Sequence, residues 1–378
     1  MKKNAIVIGA GIVGLAITRS LAQKGYHVDV FDRSAFAVGA SIRNFGMIWP
    51  IGQTEGKMYD RAMLSKSIWN QVAEDAGIWY NPSGSFHLAY TNLEWEVLSA
   101  FYECVKTNRK YKLMDASEVL RNSSAVNPVN LKGGLFSPDE MIVDSPLAIA
   151  SLPNYLDNKY DVQFHWQEHA KEVETGILRT THAKYEADEI YVCTGPDFEN
   201  LFPEIFEANM STKCKLQMLK TVSQPNDWQL GPSLCGGLSL THYHSFQAAG
   251  SSLDLLKKYY ADTMPDYITW GIHVMISQNS RGELIIGDSH EYGPTHDPFD
   301  KQFINTLILD YLKQFSVYPD QRIAATWNGT YPKLKNGASE LVVSPMEGVT
   351  IVNGLGGAGM TLSFGLAEQI VNDKYSRI

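Results

Sequence analysis

Asn4-Ala-Ile-Val-Ile-Gly9-Ala-Gly11-Ile-Val-Gly14-Leu-Ala-Ile17, followed ten residues later by His27-Val-Asp-Val-Phe31-Asp32, is the stretch that decides the fold. Asn4 to Ile8 is a short apolar run rich in β-branched residues and reads as a strand. The glycine turn leads into Leu15, Ile17 and Leu21, which have helical spacing, and His27 to Phe31 reads as a second strand. In such a βαβ unit Gly9 allows the tight turn, Gly11 lets a pyrophosphate approach the helix N-terminus at Ile12 and Val13, and Gly14 lets the helix lie close to the strand. Asp32 stands 18 residues after Gly14, close to the roughly 20 at which an acidic side chain meets an adenosine ribose. The stretch is a dinucleotide-binding fingerprint with all its parts in register.

The 378 residues suffice for two domains or one large domain with an insertion. Hydrophobic residues make up 44% and charged residues 19%, with 30 Gly and 16 Pro in no repeating register, which excludes a disordered or fibrous chain. The net charge of −9 argues against nucleic acid or an anionic membrane surface, both of which need a basic field. An anionic small substrate stays open, because one buried pocket can be positive on an acidic protein. Cys104, Cys193, Cys214 and Cys235 form no CxxC pair and read as free thiols of a reducing compartment. The apolar N-terminus is broken by glycines and reads as structure rather than a signal peptide. No run reaches the roughly 18 apolar residues of a membrane span. A cytoplasmic location is the expectation.

Two distant segments bear on which nucleotide is bound. Glu189-Ile-Tyr-Val-Cys193 runs into Thr194-Gly195-Pro196, and Val349-Thr-Ile-Val-Asn353 runs into Gly354-Leu355-Gly356-Gly357-Ala358-Gly359-Met360-Thr361, with a helix expected from Leu362 to Val371. Such a strand, glycine turn and helix aims backbone N–H groups at an electron-rich acceptor, or simply packs a helix closely. Together with Gly39-Ala40-Ser41, Asp32-Arg33 and Trp327-Asn-Gly-Thr-Tyr-Pro332, these pieces make essentially the whole chain resemble the FAD-dependent oxidoreductases of the D-amino-acid oxidase, glycine oxidase and sarcosine oxidase type. Within that family, Gly39-Ala-Ser-Ile-Arg43-Asn44-Phe45-Gly46-Met47-Ile-Trp49-Pro-Ile-Gly-Gln53 resembles a subgroup associated with phosphonate catabolism, oxidising N-alkyl derivatives of 2-aminoethylphosphonate.

The resemblance implies an α/β (α+β) fold, a Rossmann-like FAD-binding domain with a second, mostly antiparallel β-sheet substrate domain. The FAD domain is expected over 1–80, 141–200 and 326–378, and the substrate domain over 81–140 and 201–325. In the latter part strands are expected at Ile272–Ile276 and Glu283–Gly287 and one helix at Phe303–Phe315, while Gly134–Val143 reads as a strand with a turn. The flavin contacts implied are Gly9, Gly11, Ile12, Val13, Gly14, Asp32, Arg33, Gly39 to Ser41, Arg43 to Met47, Thr194, Gly195 and Leu355 to Thr361, with Val173 meeting adenine through its backbone. FAD is expected to be non-covalent, because no cysteine lies in the stretch before Tyr331 where the sarcosine oxidases tether theirs.

Chemistry of this kind belongs to the isoalloxazine, so no conventional acid or base is demanded of the protein. The anion of the substrate is more informative. Where the family's D-amino-acid and glycine oxidases carry an arginine before a proline, this chain has Tyr331, and the sarcosine oxidases' lysine is replaced by Met360 or Thr361. The usual carboxylate anchors are missing. Arg43, His290 and Lys333 are the alternative polar candidates, and Trp49 a wall of the site. His242 and His244 alternate as in a strand, but two histidines without a carboxylate are a weak metal signal, and no metal is assigned. The activity implied is amine oxidation on an N-alkylated aminophosphonate, with O2 or another acceptor taking the electrons. The rivals are a glycine, sarcosine or D-amino-acid oxidase and a non-catalytic flavin sensor.

Overall fold

The computed structural model describes residues 2–376. The fingerprint strand Asn4–Ile8 lies inside a six-stranded sheet whose order runs Leu341–Met346, Val349–Asn353, Glu189–Val192, Asn4–Ile8, His27–Asp32, Gln163–Trp166. All pairs are parallel except the outermost one formed by Leu341–Met346. Such strands, buried on both faces, must be apolar throughout, and Ala5 to Ile8 are all buried. The covering helices are Ile12–Gln23, Lys57–Ala76, Ser145–Tyr160 and Gly359–Val371. Leu362, Phe364 and Leu366 of the last are nearly inaccessible, each contributing roughly 1.5–3 kcal/mol by leaving water.

A second sheet has nine strands, and two three-stranded sheets, Ala170–Glu174 with Ile177–Thr180 and Lys184–Glu186, and Met141–Val143 with its two partners, complete the set. The spine of the nine-stranded sheet is Ser211–Ser223, which pairs along one edge with Ile323–Leu334 and along the other with Glu283–Gly287 and Glu291–Gly293. The sheet continues through Met275–Gln278 and Ser233–Cys235 to Ser85–Ala89, Gly133–Ser137 and Lys112–Asp115. Most neighbours are antiparallel, the pair of Ser233–Cys235 with Ser85–Ala89 being parallel. Among the described residues no helix is long and apolar enough to cross a membrane.

Several expectations need correction. Gly134–Val143 is not one strand: Gly133–Ser137 joins the large sheet, while Met141–Val143 pairs with Met47–Ile48 and Tyr80–Asn81. Residues 200–325 hold more helix than the one expected. Leu238–His242, Ser251–Thr263 and Pro265–Thr269 are helical, the second burying Leu253, Leu256 and Tyr260 on one face. His242 and His244 therefore do not share a strand: the first ends a helix and the second opens a 3-10 turn. Gly236 and Gly237 lead into the helix Leu238–His242, and a Cβ there would lie 2.5 Å from Tyr311 and 2.2 Å from Glu94 respectively. The run from Ile272 becomes a strand only at Met275. The helix after the C-terminal glycine loop starts at Gly359, three residues early, with the Ser363 hydroxyl donating to the Gly359 carbonyl. Finally, Ile323–Leu334 crosses the expected 325/326 division and stays laddered to Ser211–Ser223 throughout; we propose that the division falls after Leu334.

Glu140, in the kink between the two strands of 133–143, ties the layers together. It is fully buried, accepting from the Ile51 N–H at 2.9 Å and from the Ser85 hydroxyl at 3.0 Å. Burial pushes its carboxyl up to about 7. A carboxyl raised above its unfolded value favours folding while protonated, so stability falls as pH climbs from about 4.5 through 7. Glu140→Gln keeps an acceptor for Ile51 and removes the charge. Denaturant titrations across this range should show the variant gaining on the wild type as pH rises, by up to about 3 kcal/mol at the plateau; a difference independent of pH would refute the assignment.

Candidate functional site

One cavity of about 690 Å³ runs from the fingerprint turn to the face of the large sheet. At its first end the packing is tight enough to require glycine. Gly9 has φ of 104°, and a Cβ on it would stand 2.4 Å from the Cys193 carbonyl oxygen. A Cβ on Gly14 would stand 1.8 Å from the Gly9 carbonyl oxygen. Gly11 caps the helix without a side-chain hydrogen bond, and no acidic residue occupies the first turn, which leaves that helix end positive toward the cavity. Asp32 accepts from the Ala10 N–H and the Ser34 N–H, both at 2.9 Å, so its carboxylate is fixed beside the turn. Arg33 pairs with Asp197 at 2.5 Å.

The segment Gly39–Met47 is stapled across the helix end. Ile12 donates its N–H to the Ser41 hydroxyl at 2.9 Å, and the Asn44 side chain donates to the Ala40 and Ser41 carbonyls while accepting from the Gly46 N–H. Opposite lie Thr194–Gly195 and the loop Leu355–Thr361, joined by the Asn353 side chain, which donates to the Gly195 carbonyl at 2.9 Å. Of the flavin contacts expected from the sequence, Gly14, Gly46 and Val173 do not line the cavity. Gly14 and Gly46 are packing positions, a Cβ on Gly46 reaching 1.9 Å from the Val143 carbonyl oxygen. Val173 turns into the core beside Leu178 and Phe206, and Glu168–Ala170 form the wall there instead. The rest, including Ile12, Val13, Gly39, Ala40, Phe45, Met47 and the loop from Leu355 to Thr361, line it.

At the far end the strand Ile323–Leu334 presents Gly329, Tyr331 and Lys333 to the cavity from alternate positions. Arg43 packs over Gly329, 3.2 Å from where its Cβ would be, and donates to the Asn328 carbonyl at 3.1 Å; Trp327 is half-buried and donates to the Arg43 carbonyl at 3.4 Å. Tyr331 is buried, with its hydroxyl 3.7 Å from the position a Cβ on Gly357 would take. Lys333 rides over the Tyr292 ring at 5.1 Å. Trp49 is buried between His87 and Tyr243, and the Thr361 hydroxyl accepts its backbone N–H at 2.9 Å.

His290 lies in a cluster that one segment alone does not reveal. His242, His273 and His290 bring one ring nitrogen each to within 4.8 Å of the others. The rings of His242 and His273 are 3.7 Å apart, and those of His273 and His290 5.1 Å. His273 and Asp288 exchange both backbone hydrogen bonds, which puts the Asp288 carboxylate against the imidazoles. His273 Nε2 comes to 3.1 Å from Asp288 Oδ1, yet outside hydrogen-bonding geometry, so that Oδ1 and His273 Nδ1 are buried without a hydrogen bond. Burial pushes the His290 imidazole down to about 4 and holds His242 and His273 well below their ordinary value; it lifts the Asp288 carboxyl well above the usual range. Asp288 and His273 went unremarked in the sequence, where the only signal was a histidine inside the apolar run Ile272–Ile276.

Comparison with known proteins agrees with this architecture. The D-amino acid dehydrogenase of Helicobacter pylori is 26% identical over 256 residues, 52% of this chain. The aligned part spans 60% of that relative's own length and 14% of another's. Among solved structures, glycine oxidase from Geobacillus kaustophilus superposes with a TM-score of 0.77 at 18% identity, covering 99% of this chain and 96% of that one. Iminodiacetate oxidase from Chelativorans sp. BNC1 gives 0.70 at 17% identity, over 99% and 96%. These last two likenesses speak to the fold. The family description "FAD dependent oxidoreductase" (DAO) matches residues 4–372, nearly end to end, and the chain belongs to that family of flavoproteins.

Proposed function

We propose that this chain is an FAD-dependent amine oxidoreductase whose substrate is the secondary amine of an N-alkylated 2-aminoethylphosphonate. The observation that carries the substrate reading is Tyr331 on the cavity face of Ile323–Leu334, with Lys333 two residues on and His290 beside it, its ring 6.4 Å from that of Tyr331. An arginine at such a place offers a planar fork that fits a carboxylate. A phosphonate is tetrahedral with three acceptor oxygens, and suits single donors arriving from different directions, which a phenol and an ammonium supply.

The residues fit the cofactor of the family. The helix end at Gly11–Val13 would hold the pyrophosphate, Asp32 the adenosine ribose, and the loop Leu355–Thr361 with Gly39–Met47 the ribityl chain and ring. The chemistry that bound FAD supplies is acceptance of a hydride from the carbon beside the amine nitrogen. The chain's own part is placement: Tyr331 and Lys333 anchor the anion, while Trp49 and Tyr243 close the chamber against water.

Anaerobic mixing with N-methyl-2-aminoethylphosphonate should bleach the flavin absorbance with a kcat/KM at least ~10-fold above that for sarcosine, glycine or D-alanine, a margin of about 1.4 kcal/mol. Faster turnover of sarcosine or D-alanine would replace this reading with an amino-acid oxidase, and no bleaching by any amine would favour a flavin sensor. Tyr331→Phe and Lys333→Met should each raise KM for the phosphonate roughly 10- to 100-fold and leave N-methylpropylamine almost unaffected, the loss of a charged hydrogen bond costing about 1.5–3 kcal/mol. Asp32→Ala should weaken FAD retention by about 1–3 kcal/mol, read as flavin fluorescence released on dilution; unchanged retention would remove Asp32 from the cofactor site.

A further inference from the structure

We propose that His242, His273, His290 and Asp288 hold a divalent transition-metal ion at the substrate end of the cavity. The argument starts from hydrogen-bond arithmetic. His290 Nδ1 lies 2.9 Å from the Gly271 carbonyl oxygen, and a carbonyl only accepts, so Nδ1 carries the hydrogen. In the neutral ring Nε2 is then a bare lone pair. That Nε2 faces Asp288 Oδ2 at 3.8 Å, acceptor against acceptor. A proton shared between them would draw the pair to roughly 2.7–3.2 Å. The observed gap is too wide for a hydrogen bond and close to the separation of two ligands on one metal ion: bonds of about 2.0–2.2 Å in tetrahedral array put neighbouring donor atoms roughly 3.3 Å apart.

The other contacts tell the same story. His273 Nε2 and Asp288 Oδ1 are 3.1 Å apart without hydrogen-bonding geometry, and Oδ1 is buried with no hydrogen bond. A buried carboxylate oxygen left without a donor is costly unless a cation satisfies it. The third imidazole, His242, comes from a different element and is only half-buried, its exposed part turned to the cavity. The three histidine nitrogens lie within 4.8 Å of one another, so no pair of them need contract by more than about 1.5 Å to share an ion, within reach of side-chain rotation. The site is also braced: the His290 Nδ1–Gly271 bond fixes its ring, and Gly271, with φ of 54°, has no room for a Cβ, which would sit 2.9 Å from that of His290. Such bracing of the ring nitrogen opposite the metal is the usual company of a ligating histidine.

Three imidazoles and one carboxylate suit zinc, iron, nickel or copper in the divalent state rather than magnesium or calcium, which prefer all-oxygen sets. Binding displaces any proton held by Asp288. A further coordination position would open toward the cavity, where Lys333 and Tyr331 also point. On the reading proposed above, and resting on it, that position takes a phosphonate oxygen.

The FAD-loaded enzyme, stripped with EDTA, should be equilibrated with one equivalent of Zn2+, desalted and analysed by plasma mass spectrometry. The expectation is about one ion per chain, falling at least ~10-fold in His273→Ala and in the isosteric Asp288→Asn. Flavin content and melting temperature would verify that both variants fold. With Cu2+ instead, the electron paramagnetic resonance spectrum should show nitrogen superhyperfine splitting that changes in His242→Asn. Loss of the metal on desalting, or retention unaltered by all three substitutions, would overturn the site. Broadening of the 31P resonance of N-methyl-2-aminoethylphosphonate by the Cu2+-loaded enzyme tests the substrate clause separately. Metal retained without broadening would discard the phosphonate and leave the metal site standing.

Discussion

Everything in this molecule is arranged around one close approach, that of the Gly9 backbone to the Cys193 carbonyl, where a side-chain carbon would sit 2.4 Å away. It forces the central strands of the six-stranded sheet and the helix Ile12–Gln23 into a contact with no tolerance for a methyl group, and Gly14 repeats the demand one turn later at 1.8 Å. The gain is a helix end that meets the cavity with backbone N–H groups and no acidic residue in its first turn. Ser41 then reaches across to take the Ile12 N–H. With the Arg43–Asn328 and Trp49–Thr361 bonds, this hydrogen bond anchors the segment leading through Arg43 and Met47 to Trp49, and so connects the nucleotide end of the cavity to its far wall.

The far wall follows a different rule. It is built on the spine Ser211–Ser223, whose two edges carry Ile323–Leu334 on one side and the strands around Asp288 and His290 on the other. Side-chain alternation on these strands does the selecting: Gly329 leaves space for Arg43, while Tyr331 and Lys333 face the chamber. The antiparallel pairing of His273 with Asp288 places a carboxylate among imidazoles without any local motif to announce it.

This contrast explains what could be read in advance. The cradle was legible because Gly9, Gly11, Gly14 and Asp32 act through local backbone geometry, which sequence spacing records directly. The same holds for the loop Leu355–Thr361, although its helix begins at Gly359 instead of Leu362. Val173 turns its side chain into the core beside Leu178 and Phe206; a contact made through its backbone leaves no mark in side-chain patterning and rests on the resemblance alone. The helices between Leu238 and Thr269 were hidden under strand-like polar alternation, even though Leu253, Leu256 and Tyr260 carry helical spacing. The histidine cluster was out of reach for a different reason. Its members come from three segments joined only by long-range pairing, and the intervals from 242 to 273 to 290 hold no chemical meaning of their own.

Gly329, Tyr331 and Lys333 are alternate members of a single strand whose backbone is committed to Ser211–Ser223 at eleven of its twelve residues. The ladder is made of peptide groups and is blind to what those side chains are. Exchanging a phenol for a guanidinium, or an ammonium for a methyl group, therefore removes no rung of that ladder. In evolutionary terms, on the reading proposed above, the strand is a keyboard: one scaffold could change the anion its chamber accepts by changing one or two letters, while the ladder that holds the strand stays in place.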